Sequence, residues 1–162
     1  MNVRSARPDD ARAIAEIYNH YVLTTAITFE EQPVAESTMA TRMRDIQAAG
    51  LPYLVAEEAG VVVGFAYASR WNARSAYRYS AESTVYIAHD QRTKRVGWTL
   101  YEVLIKQLQA AGYHTLIAGI VHPNEASVRL HERFGFAKTA VFREVGFKFE
   151  QWLDVGYWQR RL

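Results

Sequence analysis

Cysteine is absent from this chain of 162 residues. Its absence excludes disulfides, thiolate metal sites and a cysteine nucleophile, and suits a reducing cytoplasm. No apolar run approaches membrane-spanning length, and the opening MNVRSARPDD has no apolar signal core. Excess charge is also small. Nineteen Lys and Arg stand against 17 Asp and Glu, a net +2, too little by itself to imply nucleic acid. The basic residues cluster locally, which favours a small anionic ligand. No linker, repeat or low-complexity tract divides the chain, so residues 1–162 read as a single domain. An apolar content of 49% with 13% aromatics gives a folded protein with a sizeable core.

The stretch from Ala81 to Gly112 divides into a strand, a basic turn and a helix. Thr84, Val85, Tyr86 and Ile87 are β-branched or aromatic, as a buried strand requires. Residues 90–97 are polar and basic, with Arg92, Lys94 and Arg95. From Trp98 the apolar residues Tyr101, Leu104, Ile105 and Leu108 fall on one helix face, and Gly112 is the expected stop. A strand feeding a basic turn that opens a helix suits phosphate. The free N–H groups of the first turn and the helix dipole both favour an anion there. A solvated basic loop is the alternative reading of the same residues.

Along the rest of the chain, residues 3–6 suggest a short strand. Pro8, Asp9 and Asp10 open a helix carrying Ala11, Ile14, Ile17, Tyr18 and Tyr21. Residues 24–29 are β-branched and fit a strand or a loop. A second helix spans about 35–49. Strands at 53–57 and 61–69 flank a hairpin signal at Glu58-Ala59-Gly60. A buried strand covers 115–121. Asn124 caps a helix through Glu132, and residues 136–142 and 147–157 read as closing strands. The order β-αα-βββ-α-β-α-ββ predicts a mixed α+β sheet with helices packed on it.

The basic turn, Gln91-Arg92-Thr93-Lys94-Arg95-Val96-Gly97, resembles the pyrophosphate loop of the GCN5-related N-acetyltransferases (GNAT), Gln/Arg-x-x-Gly-x-Gly/Ala. Arg92, Val96 and Gly97 fit, whereas Arg95 stands where the first glycine is usual. A Cβ there costs roughly 1 kcal/mol if the position has positive φ. The Arg side chain can instead reach a phosphate. The element order matches the superfamily's acyl-CoA N-acyltransferase fold, a mostly antiparallel twisted sheet flanked by helices. Further stretches resemble the phosphinothricin and methionine sulfoximine N-acetyltransferase subgroup. They are Trp71-Asn72-Ala73-Arg74 with Ala76-Tyr77, Ala81-Glu82-Ser83-Thr84-Val85-Tyr86, Pro123-Asn124 with Ser127-Val128-Arg129 and His131-Glu132, and Gly146-Phe147-Lys148 with Trp152 and residues 154–159.

This resemblance implies transfer of acetyl from acetyl-CoA to the primary amine of a small amino-acid-like acceptor, by direct attack on the thioester, with no metal. Such a site needs a base, an oxyanion donor and an acid for the leaving thiolate. Glu82 matches the subgroup's base, and His131 stands where many members carry a Tyr that protonates sulfur. The backbone of Val85, Tyr86 and Ile87 and the amide of Asn124 would hold pantetheine. Thr93, Lys94, Arg95, Val96, Gly97 and Trp98 would hold the pyrophosphate. Asn72, Ala73, Arg74, Glu82, Ser83 and Thr84 would line the acceptor pocket, with Arg74 clamping an anionic group. Arg78, Tyr77 and Phe29 are second-rank candidates. Trp152, Phe147 and Tyr157 read as core or interface. A cytoplasmic homodimer is implied, with neither nucleic acid nor membrane as partner. Two alternatives stay open: acetylation of another amine or a peptide N-terminus, and a CoA-binding module with little turnover because of Arg95.

Overall fold

Runs of β-branched and aromatic residues alternate with amphipathic runs of helical period. The computed structural model, which describes residues 1–91 and 95–162, folds them into one seven-stranded sheet and four α-helices. In chain order these are β1 (Asn2–Ser5), α1 (Ala11–Thr24), α2 (Glu36–Ala48), β2 (Tyr53–Glu58), β3 (Val61–Arg70), β4 (Ser80–Ile87), α3 (Val96–Ala110), β5 (Thr115–Val121), α4 (Glu125–Arg133), β6 (Ala137–Lys148) and β7 (Gln151–Arg161). The sheet order is β1-β2-β3-β4-β5-β7-β6. Every described pairing is antiparallel except β4 with β5. The expected mixed, mostly antiparallel sheet with flanking helices is therefore present.

Strand alternation sends side chains to two cores. On one face Tyr53, Val55 and Phe65 pack with Ile14, Ile17 and Tyr21 of α1 and Met39 and Met43 of α2. On the other, Leu54, Ala66, Leu116 and Trp158 pack with Leu100, Leu104 and Leu108 of α3. Burying each large apolar side chain contributes about 1.5–3 kcal/mol, which fixes the register of every strand that reaches both cores. The chain entry is tied by Arg4. Its Nη1 donates to Asp10 Oδ2 at 2.7 Å, and its Nη2 donates to Glu57 Oε2 at 2.8 Å.

The feature that makes a site is the seam between β4 and β5. Their parallel ladder has three pairs, Ser80↔Thr115, Ala81↔Leu116 and Glu82↔Ile117. Beyond it β4 stays paired with β3 through Ile87, and β5 stays paired with β7 through Val121. The sheet thus forks at Glu82, and the β4 backbone past that point has an edge with no strand beside it.

The structure also corrects the closing hairpin. Residue 147 does not open a new strand. β6 runs through Lys148 and turns at Phe149 and Glu150, both left-handed with φ 50° and 57°. Such turns favour Gly, Asn or Asp, so these residues gave no turn signal. Residues 143–145 interrupt the ladder instead, with Glu144 at φ 51°. Residues 24–29, open between strand and loop, belong to neither β-sheet nor helix beyond Thr24. Thr93 and Lys94, expected to hold pyrophosphate, and Arg92 lie outside the described residues.

Candidate active site

The fork opens into a cleft of about 1100 Å³. Glu82 stands at its vertex, where the β4–β5 ladder ends. It is half-buried and lines the cleft with Tyr67, Gly119 and Tyr157. The carboxylate has neither an ion pair nor a hydrogen bond among the described residues, and burial pushes it above the usual carboxylate range. Gly119 leaves room for it: a Cβ at that position would lie 3.4 Å from Glu82 Oε1. A desolvated carboxylate of raised pKa in a cleft is suited to take a proton near neutral pH.

Beside the vertex, on the other face of β4, lies a chain of hydrogen bonds. The Tyr101 hydroxyl lies 2.9 Å from Ser83 Oγ and 2.6 Å from His131 Nε2. Ser83 Oγ donates to the Ile117 carbonyl at 3.3 Å, bridging β4 to β5. His131 Nδ1 lies 2.7 Å from the Ser127 carbonyl, which can only accept. Nδ1 therefore carries a proton, and in the neutral ring Nε2 accepts the single Tyr101 proton, which is then shared with Ser83 Oγ only by turning between the oxygen and nitrogen acceptors. His131 is 3% exposed, and burial lowers its pKa while the Ser127 bond partly opposes this. Both ring nitrogens are thus engaged. The helix face shared by Ser127 and His131 follows from their i, i+4 spacing.

The α3 end of the cleft suits an extended, anionic ligand. Val85, Tyr86 and Ile87 present the open edge of β4, and Val96, Gly97 and Trp98 line the same cleft. Gly97 is required by close approach, because a Cβ there would fall 2.9 Å from Ile87 Cδ1. Arg95 precedes the helix at φ 58° and ψ 16°, so the expected departure from glycine does sit in a left-handed conformation. Asn124 caps α4, its Oδ1 accepting from Ser127 N at 3.2 Å. Its side-chain NH2 has no partner among the described residues, so capping and ligand binding are compatible. Arg129 and Arg133 add charge to this wall. An unpaired strand edge, a helix N-terminus and three arginines fit the amide-rich arm and phosphates of CoA.

Other expected residues lie apart. Ser83 and Thr84 line the cleft, but Asn72, Ala73 and Arg74 are exposed on the segment between β3 and β4 and do not. Asn72 Oδ1 accepts from Arg74 N at 3.1 Å, shaping that segment. It reaches the site through Trp71, whose ring meets the Tyr157 ring edge-on at 5.8 Å. Arg78 lies over the Tyr79 ring rather than the cleft. Phe29 lines the cleft, and so does Tyr157, an aromatic expected in the core or an interface. Tyr67, Tyr101 and Gly119 carried no sequence signal beyond strand alternation and helix period. Among the described residues there is no cluster of three or more His, Asp or Glu that could hold a metal, and no helix long and apolar enough to cross a membrane.

Comparisons with known proteins agree with this geometry. The profile of the acetyltransferase (GNAT) domain family matches residues 3–156. The phosphinothricin N-acetyltransferase of Streptomyces viridochromogenes is 40% identical over 160 residues, covering 99% of this chain and 87% of that protein. The L-methionine sulfoximine/L-methionine sulfone acetyltransferase of Salmonella typhimurium is 39% identical over 162 residues, covering 100% and 95%. A phosphinothricin acetyltransferase from Sinorhizobium meliloti, solved in complex with AcCoA, superposes with a TM-score of 0.96 at 38% identity, covering 99% of this chain and 88% of the other. The chain belongs to the GNAT family of acetyl-CoA-dependent N-acetyltransferases.

Proposed function

We propose that the protein acetylates the primary amine of a small amino-acid-like acceptor of the phosphinothricin, methionine sulfoximine or methionine sulfone type. The observation that carries this reading is Glu82, an unpaired, desolvated carboxylate at the vertex of the fork. Bound acetyl-CoA supplies the acetyl group as a thioester, so no protein nucleophile is needed. The edge of Val85–Ile87, the α3 N-terminus, Arg95 and the Asn124 amide hold it along the fork. Glu82 removes the proton that the amine sheds on attack, and backbone N–H groups on the free β4 edge face the developing oxyanion. Tyr101, held 2.6 Å from His131 Nε2, turns its hydroxyl proton from the imidazole to the leaving sulfur. The acceptor's anionic end leaves the cleft toward Arg74, a reading supported by the Trp71–Tyr157 contact at that end.

The protein acts in the cytoplasm, and as a homodimer. In support of the latter, Phe142, Val145, Phe147, Phe149 and Trp152 are each more than half exposed on one hairpin, an apolar cluster that a second copy would cover. The test is release of CoA thiol from acetyl-CoA with phosphinothricin, methionine sulfoximine, methionine sulfone, ordinary amino acids and a short peptide. Release with the first three alone is expected. Release with the peptide alone would replace the amino-acid reading, and acetyl-CoA binding without release would leave a CoA-binding module.

A further inference from the structure

Past the fork, a buried lysine of the C-terminal half of the sheet reaches across to the N-terminal half. Lys148, at the end of β6, is 3% exposed. Its Nζ donates to the Val22 carbonyl at 2.7 Å and to the Thr28 carbonyl at 2.8 Å, partners 126 and 120 residues away in sequence. Burial draws its pKa below the ordinary lysine value, with Glu31 and Glu30 opposing this. Two residues earlier on the same strand, Gly146 seats the Phe29 ring, since a Cβ there would lie 2.2 Å from Phe29 Cζ.

The segment so held has no regular hydrogen-bond ladder of its own. Its other ties include Tyr18 Oη to Thr28 Oγ1 at 2.7 Å and the paired bonds from Arg42 to Glu30 at 2.6 and 2.9 Å. All of those lie within the N-terminal half. Lys148 and the Phe29–Gly146 contact instead cross to the C-terminal half. Thr28, Phe29 and Val145 line the cleft together with Glu82, Tyr67 and Tyr157. The first three form one wall of the cleft that Glu82 also lines.

We propose that Lys148 is a positioning residue for acceptor selection: by tying residues 22 and 28 to β6 it seats Phe29 across the open fork and sets the size of amine that reaches Glu82. The proposal rests on the acetyltransferase reading above. A buried ammonium satisfied by two main-chain carbonyls gives a directional tie that an apolar side chain of equal length cannot.

The test is Lys148→Met, which keeps the length and removes the donors. It is assayed as the full chain with acetyl-CoA and acceptors graded from phosphinothricin and methionine sulfone to phenylalanine and tryptophan. The expected result is a fall of about tenfold in the kcat/KM ratio of small to bulky acceptors, in line with what one methylene of pocket space is worth. Acetyl-CoA affinity by calorimetry should stay within about twofold, because no phosphate or pantetheine contact is touched. An unchanged ratio, or acetyl-CoA affinity falling in step with acceptor use, overturns the proposal. If Lys148→Met does not fold, Gly146→Ala decides. It unseats Phe29 with the ammonium in place and predicts the same loss of selectivity, so an unchanged ratio there is equally fatal. A wild type inert toward every acceptor removes the functional reading and the proposal together. An active wild type with unaltered selectivity in the variants removes the proposal alone.

Discussion

Arg95→Gly should move stability and affinity in opposite directions. Arg95 sits at φ 58° and ψ 16° immediately before α3, a conformation that crowds a Cβ against the following carbonyl. Glycine removes that crowding, while its greater freedom in the unfolded chain takes back part of the gain, leaving about 1 kcal/mol of net stabilisation. For a chain of this size that is a rise in Tm of about 2–4 °C. The guanidinium, however, is one of three arginines lining the α3–α4 end of the cleft. Losing one charge-assisted phosphate contact weakens acetyl-CoA binding by about tenfold, less at high salt because the site is open to solvent. Arg95→Ala separates the two terms. It keeps the Cβ and loses the charge, so it should show the weaker binding with no rise in Tm. The assays are thermal unfolding of the unliganded protein and calorimetric titration with acetyl-CoA at two salt concentrations. Tighter acetyl-CoA binding by Arg95→Gly would refute the reasoning, and would mean that the arginine obstructs the loop.

Glu82→Gln should lower kcat by about 10²–10⁴-fold with acetyl-CoA affinity nearly unchanged. In the wild type, kcat/KM should rise with pH through the raised carboxyl pKa to a plateau, because the base acts ionised. The same desolvation makes the charged carboxylate unfavourable in the folded state, so Glu82→Gln should also unfold at a higher temperature at pH 7. Asp10 behaves in the opposite sense. The Arg4 guanidinium holds its carboxyl below the usual range, so its stabilisation is complete above the unfolded pKa and is lost as pH falls through the lower folded value. Asp10→Asn should cost about 2–3 kcal/mol at pH 7 by denaturant titration, and the difference from wild type should shrink in acid. Gly156→Ala should cost about 1–3 kcal/mol by the same assay, because its Cβ would meet His122 Nε2 and Trp158 Cζ3 each at 2.5 Å.

The sequence was most informative where pattern repeats. The alternation in β2 to β5, the helical spacing of α1 and α3, and the Asn124 cap all emerge from side-chain chemistry acting over a few residues. Glu82 was legible because the stretch from Ala81 to Tyr86 resembles the subgroup's own. Legibility failed where one contact joins distant segments. The turn at Phe149 and Glu150 uses left-handed residues that rarely turn. Lysine is seldom buried, so nothing local marks Lys148 as an interior residue. Tyr101 looked like one more apolar residue on the α3 face, because its partners Ser83 and His131 come from other elements. Arg74, the expected anion clamp, is exposed beside the site rather than inside the cleft, a placement that no local pattern could specify.

The three-pair seam between β4 and β5 has one more consequence, for how the chain can be cut. Strands β1 to β4 come from the first 87 residues, and β5 to β7 from residues 115–161. Each half is an antiparallel ladder that completes itself before or after the crossing through α3. A break in the exposed turn at residues 111–112, which closes α3, would therefore sever no strand from its antiparallel neighbours. The two pieces would reassemble along a short parallel ladder and the apolar face of α3, and a ligand lying along the fork would add the contacts that the seam lacks. A split pair made there should associate more tightly with acetyl-CoA present, turning the fold into a two-part sensor for its own cofactor.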